Sequence, residues 1–175
     1  VVAMAVSPDD AMVALATVGQ STVHLLDAAT GSTIRTLTGH TAEVRDVAFS
    51  ADGARLVSGG DDPIARIWNV QTGQVARLLP STTGTQSVDF GPDGATVLTA
   101  SAGKGKLWNA STGVVIRELA GSGIATVRYS PDGNQAVTTD GGSTVTTWNL
   151  ATGAVLRTLE GHAGEVSAAD FSPDG

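Results

Sequence analysis

The sequence predicts an all-β chain of repeated four-stranded antiparallel units, on three observations. A set of short motifs recurs about every forty residues. Within each period, runs rich in β-branched residues alternate with Pro-Asp-Gly and Thr-Gly turn signals. No stretch sustains the 3.6-residue apolar period of a helix.

The period appears in three independent series. Ser7-Pro8-Asp9-Asp10, Ser50-Ala51-Asp52-Gly53, Gly91-Pro92-Asp93-Gly94, Ser130-Pro131-Asp132-Gly133 and Ser172-Pro173-Asp174-Gly175 step by 43, 41, 39 and 42 residues. Ala29-Thr30-Gly31, Gln71-Thr72-Gly73, Ser111-Thr112-Gly113 and Ala151-Thr152-Gly153 step by 42, 40 and 40. Trp68-Asn69, Trp108-Asn109 and Trp148-Asn149 keep the same spacing, with Leu26-Asp27 in the first copy.

The second copy illustrates the unit. Its first strand is read at Val44 to Phe49 and ends at Ser50-Ala51-Asp52-Gly53, where Gly accepts a positive φ. The second runs from Arg55 to Ser58 and the third from Ile64 to Trp68. The fourth, Gln74 to Leu79, is entered through the Thr72-Gly73 turn.

Composition narrows the function classes. The 175 residues are 41% hydrophobic and 15% charged, which suits one folded domain and not a disordered tail or coiled coil. The net charge is −7, with ten scattered Lys and Arg, so neither nucleic acid nor an anionic membrane is an expected partner. The absence of Cys excludes a disulfide framework, a Cys-ligated zinc site and a thiol nucleophile. No apolar run approaches the roughly 18 residues of a membrane span, and no basic region precedes an apolar stretch. A cytoplasmic setting is expected.

The second copy resembles the WD40 family. The matching residues are Gly39-His40, Val44 to Ser50, Ala51-Asp52-Gly53, Leu56 to Asp62, Ile67-Trp68-Asn69 and Thr72-Gly73. The family closes its repeat with Trp-Asp, whereas this chain has Trp-Asn three times. The likeness runs through the whole chain, four copies in phase. It implies a β-propeller whose blades carry strands a to d from the axis outward and are stabilised by their neighbours. Blades are expected at about 1–40, 41–81, 82–121 and 122–162, with 163–175 as the first strand of a fifth. Because the family commonly has seven blades, the first reading is an incomplete segment, four blades plus one strand, of a larger propeller. Two chains contributing four blades each is the second, and a closed four-bladed monomer the third.

The resemblance also implies a structural tetrad at His40, Ser58, Asp62 and Trp68, with Asp62 six and Ser58 ten residues before the Trp. Its physical rationale is that buried polar atoms satisfy one another. The fourth copy keeps Thr138 and Trp148 but has Gly142 and Ser122 where the pattern asks for Asp and His. The third keeps only Thr99 and Trp108, and the first has Leu26 for Trp. The family's usual partner surface is the top rim, which maps here to Glu43, Arg45 and Asp61, with Gln86 and Glu165 at matching positions in later copies.

Other signals carry less. Gly103-Lys104-Gly105-Lys106 lacks the Walker spacing and is read as a b–c hairpin turn. His24, His40 and His162 fall in different repeats, so no metal site and no cofactor are expected. The reading is a non-catalytic, WD40-type interaction scaffold or sensing module of a larger protein, binding proteins or peptides, with self-association through open blade edges. The alternative is an enzyme. Val23 to Asp27 and Ala29-Thr30-Gly31 also resemble lactonase-like propellers, which place a site at the channel mouth. Those repeats do not usually carry Gly-His and Trp-Asn.

Overall fold

The computed structural model describes residues 1–175, which form strands and turns and no helix. The first sheet holds β1 (Ala3–Val6), β2 (Met12–Ala16), β3 (Thr22–Asp27) and β4 (Thr33–Thr38). The second holds β5 (Val44–Phe49), β6 (Arg55–Gly60), β7 (Ile64–Asn69) and β8 (Val75–Pro80). The third holds β9 (Thr85–Phe90), β10 (Thr96–Ser101), β11 (Gly103–Asn109) and β12 (Val115–Ile124). The fourth holds β13 (Thr126–Tyr129), β14 (Gln135–Thr139), β15 (Val145–Asn149) and β16 (Val155–Leu159). Each is a four-stranded antiparallel meander in chain order, the form of a propeller blade. The first strands of successive blades lie side by side, β1 on β5, β5 on β9 and β9 on β13, and the set does not close on itself.

The turns follow from side-chain oxygens that replace missing backbone partners. Ser50 Oγ donates to Asp52 Oδ1 (2.6 Å) and accepts the Arg55 N–H, while Asp52 accepts the Ala54 N–H at 3.0 Å. Ser130 and Asp132 repeat this, and the Ser130 hydroxyl is the main reason the Asp132 carboxyl falls to about 2. The third to fourth strand turns use one acceptor. Asn69 Oδ1 takes the Thr72 N–H and hydroxyl at 2.8 and 3.0 Å, as Asn149 does for Thr152 and Asp27 for Thr30. The glycine after each Thr turns back at a φ of 71 to 75°. The turn needs an oxygen and not a charge, so Trp-Asn serves where the family has Trp-Asp. The same irregularity falls beside each turn, between Leu25 and Leu26, Ile67 and Trp68, Leu107 and Trp108, and Thr147 and Trp148.

The core lies between blades, not within them. Ala14, Ala16, Val23, Leu25 and Leu37 of the first blade pack on Val44, Val47, Leu56, Trp68 and Val70 of the second. Val57, Ala65, Ile67 and Leu79 meet Val88, Phe90, Val97, Trp108 and Ala110 of the third. Leu98, Leu107 and Leu119 meet Val127, Tyr129, Ala136, Trp148 and Leu150 of the fourth. Arginines reach across the same seams, Arg55 Nη2 donating to Gly94 O at 2.8 Å.

Two expectations are corrected. Residues 163–175 form no strand. Only Val166 is buried, held by its N–H to Gly142 O (2.7 Å) and by packing with Val137 and Val145. An a strand takes its ladder from the strand after its turn, and this segment pairs with none. The hairpin between β10 and β11 turns at Ala102 and Gly103, both at positive φ, and Lys104 already pairs with Ser101. Lys104 to Lys106 are therefore strand residues, because a two-residue turn of this kind needs no more length.

Asn69→Ala is expected to cost about 1 kcal/mol, and Asn69→Asp close to nothing. Urea midpoints of the two variants check this. Equal losses would show that the turn does not depend on the acceptor.

Candidate functional site

The second blade holds a buried hydrogen-bonded chain. β6 supplies Ser58 and β7 supplies Trp68, while His40 precedes β5 and Asp62 sits in the turn between β6 and β7. Trp68 Nε1–H donates to Ser58 Oγ at 2.8 Å. Ser58 Oγ lies 2.7 Å from His40 Nε2, and His40 Nδ1 lies 3.0 Å from both Asp62 oxygens. With Nδ1 donating to Asp62, Nε2 of a neutral imidazole accepts from Ser58; Arg66 Nη1 also stands 2.8 Å from Nδ1 and in this tautomer gives its protons to Asp62 and Ile64 O. Burial pushes the His40 imidazole below its ordinary value, with Asp62 pulling the other way and Arg66 reinforcing the fall. Burial also works to raise the Asp62 carboxyl, but the Thr41 N–H and His40 outweigh it and hold it low.

Arg66 is a member that sequence reasoning missed. Its Nη1 lies 3.1 and 3.0 Å from the Asp62 oxygens and donates to Ile64 O at 2.6 Å. The signal was available, since strand alternation puts Arg66 on the same face of β7 as Trp68. Elsewhere the chain shortens to one bond. Trp108 and Trp148 donate to Thr99 and Thr138, each at 2.9 Å.

The rim of the same blade carries Glu43, Arg45 and Asp61. Arg45 Nε and Nη2 donate to the two Asp61 oxygens at 2.9 and 2.7 Å, and Nη1 reaches Glu43 at 3.3 Å. The fork raises the Arg45 guanidinium and lowers the Asp61 carboxyl, with Gln86 adding the smallest part of that lowering. The backbone seats the group. Asp61 N–H donates to Glu43 O at 2.8 Å, and a Cβ at Gly60 would fall 2.4 Å from that carbonyl, so only glycine allows the approach. The structure thus brings Glu43, Arg45, Asp61 and Gln86 together. Glu165 is exposed on the strandless segment and makes no ion pair.

The innermost strands bear a charged seam that sequence reasoning did not find. Asp46 Oδ2 accepts from Ser87 Oγ, Val88 N–H and Arg128 Nη1 at 3.0, 2.9 and 3.1 Å, so one carboxylate ties β5, β9 and β13. Asp89 Oδ2 accepts the Tyr129 N–H at 2.8 Å. Burial lifts the Asp89 carboxyl to about 6 against the opposing pull of that N–H and of Arg128. These residues sit forty and more positions apart, and no motif links them.

Comparison with known proteins bears on this geometry. The family model described as "WD domain, G-beta repeat" matches residues 31–69 and 153–175. An uncharacterized WD repeat-containing protein of Synechocystis is 37% identical over 103 residues, 58% of this chain and 29% of the relative. Nuclear distribution protein PAC1-2 of Uncinocarpus reesii is 51% identical over 49 residues, 28% of this chain and 11% of its own length. A periodic tryptophan protein 2 homolog of Neurospora crassa is 34% identical over 91 residues, 51% of this chain and 10% of its own. The chain therefore covers less than a third of the length of these relatives. It carries WD40 repeats, and its four antiparallel sheets are propeller-type blades.

Two outcomes follow. Trp68→Ala costs roughly 3–5 kcal/mol by leaving a cavity and loosening the buried chain behind Ser58, and Trp148→Ala costs less because Thr138 leads to no buried His–Asp pair. Melting temperatures decide, and equal losses would contradict the ranking. The folded chain holds the Asp89 proton more tightly than an unfolded chain with the ordinary value of 3.8. Its contribution to stability is therefore full below about pH 4 and is lost as pH rises through 6. Asp89→Asn removes that fall, so the stability difference between variant and parent grows from pH 4 to 7 and then levels. Parallel pH profiles would refute it.

Proposed function

We propose that the chain is a non-catalytic scaffold that binds proteins or peptides on the rim of its second blade. The carrying observation is the partly exposed Glu43–Arg45–Asp61 cluster, with Glu43 the most covered of the three, preset by its ionic fork and by the Asp61 N–H to Glu43 bond. A rigid polar group loses little freedom on binding, which favours recognition. The relatives named for WD repeats support the same class.

The Ser58, His40 and Asp62 set has a hydrolase's composition but not its function. All three are buried, Ser58 takes the indole N–H, and His40 is engaged on both nitrogens. No free lone pair faces a cleft where a substrate carbonyl would sit. The seam around the axis joins Asp46 and Arg128 to each other, and each histidine has its own setting. His24 bonds Thr22 and Thr36, His40 is in the tetrad, and His162 is exposed.

The test places a photo-crosslinking residue at Gln86 and, as control, at Thr112 on a third to fourth strand turn. Partners captured from host cells are then compared between the parent and Arg45→Glu. The proposal expects a protein captured at position 86 and lost in the variant, with melting changed by less than about 1 kcal/mol because exposed ion pairs contribute little. Equal capture by both chains, or capture only at 112, would count against it.

A further inference from the structure

Three seams join consecutive blades. At the end of each seam away from the Glu43–Arg45–Asp61 rim, one position of the second strand faces the next blade. It is Met12 in the first blade, Arg55 in the second and Thr96 in the third, each giving its carbonyl to the N–H that opens the preceding turn, Ser7, Ser50 or Gly91. The next blade brings an aromatic ring to each seam, Phe49, Phe90 or Tyr129. Two of the seams are fastened here by a polar contact. Arg55 lies over the Phe90 ring at 5.4 Å, and its Nη2 donates to Gly94 O at 2.8 Å. Tyr129 Oη donates to Thr96 Oγ1 at 2.8 Å. In the first seam Met12 and Phe49 only pack on the apolar cluster.

That first seam opens into a groove of about 510 Å³, lined by Met12, Ile34 and Val70 and edged by Asp9, Asp52 and Gly53. A Cβ at Gly94 would fall 2.8 Å from Arg55 Nη2, whereas one at Gly53 would meet nothing nearer than Pro8 at 3.4 Å. No side chain therefore lies where the guanidinium lies in the second seam. The Gly53 carbonyl, counterpart of Gly94 O, accepts no hydrogen bond from the chain. Asp9 and Asp52 use only Oδ1 in their turns, for Ser7 Oγ and the Ala11 N–H and for Ser50 Oγ and the Ala54 N–H, so Oδ2 of each is unpaired. The serine hydroxyls, above all, hold both carboxyls below their ordinary range, and both are charged at neutral pH. Arg35 also lines the groove but aims Nη1 and Nη2 at Thr72 O and Gln71 O. Ile34 is 49% exposed, and its counterpart Ile116, with a blade on either side, is 50% exposed, so the exposure belongs to this position of the fourth strand.

We propose that this groove takes an arginine of a basic peptide or protein partner, which supplies from outside the contact that Arg55 makes within the chain one seam further on. The guanidinium donates to Gly53 O and faces the unpaired oxygens of Asp9 and Asp52. Its methylenes, and an apolar neighbour in the partner, cover Met12, Ile34 and Val70. A carbonyl and two carboxylates suit a planar fork of donors better than the point charge of an ammonium. A long aliphatic stem that ends in a charge matches an apolar floor with an acidic edge. The net charge of −7 draws a basic partner to the chain. The groove lies at the opposite end of the blades from the rim, so this surface is independent of the one proposed there.

The test is an NMR titration of the full 175-residue chain, isotope-labelled at the isoleucine δ methyls. The probe is the blocked peptide Ala-Leu-Arg-Leu-Ala, with versions in which Lys or Gln replaces the Arg. The Arg peptide is expected to move the Ile34 methyl to saturation by millimolar concentration and to leave Ile116 in place. The Lys version binds more weakly, and the Gln version does not bind. Asp52→Asn, whose amide oxygen keeps the turn, weakens binding about two- to fivefold through the lost charge. Met12→Arg reproduces the second seam in the first, fills the groove and abolishes binding, while its melting temperature shows that the chain stays folded. An Ile34 methyl that the Arg peptide leaves unmoved overturns the proposal. So does an equal response to the Gln version, or binding that survives Met12→Arg. A shift of Ile34 with protein concentration alone would assign the groove to a second copy of the chain and overturn it as well.

Discussion

The structure depends on apolar burial between neighbouring blades. No sheet here has a core of its own. The second and third sheets are covered on both faces by their neighbours and the first and fourth on one, and the large buried side chains, Leu25, Leu56, Ile67, Leu98 and their kind, lie in seams. Each fully buried Val or Leu side chain contributes about 1.5–3 kcal/mol, so a seam with seven of them and a buried Trp dominates any single polar contact in it. Stability is then set by intrinsic blade terms and nearest-neighbour terms, as in other repeat folds. The arginines that cross the seams add register to this burial. They fix which turn faces which strand, a choice that apolar contact alone leaves loose.

The tetrad has to be placed against that background. The third and fourth blades fold with a single Trp–Thr bond, and the first has Leu26 where the others have Trp. The full His–Ser–Asp–Trp chain is therefore not what makes a blade. What it does in the second blade is to satisfy a buried carboxylate and an imidazole beside a buried arginine, groups that would each be costly alone. The arrangement converts three buried polar side chains into a rigid joint between the loop before β5 and the turn after β6.

Much of the fold was legible because its signals are local. A Thr-Gly turn closed by an Asn or Asp oxygen is written within five residues, and its recurrence gives the period without any knowledge of packing. The tetrad was legible through the family resemblance, whose offsets work because a fixed hairpin brings fixed positions together. The Asp46–Arg128 seam was not, because it joins strands 82 residues apart through a contact that exists only once the blades are arranged around an axis. Arg66 failed for a different reason. An arginine in a strand ordinarily points to water, and only the burial of Asp62 makes an inward guanidinium favourable. The strand expected in 163–175 was legible as a pattern, but a strand is a property of pairing, and pairing is not a property of one segment.

The rim and the interior of the second blade meet at two consecutive residues. Asp61 faces outward and takes the Arg45 fork, while Asp62 faces inward and takes His40, Arg66 and the Thr41 N–H. Adjacent carboxylates repel, yet each has its own cation, so both stay charged and the turn between them is held from two sides. Gly60 and the Asp61 N–H to Glu43 bond then tie this turn to the start of β5. The position of the exposed cluster is thus inherited from the buried one. That coupling explains why the Glu43–Arg45–Asp61 fork belongs to the blade with the most complete interior network.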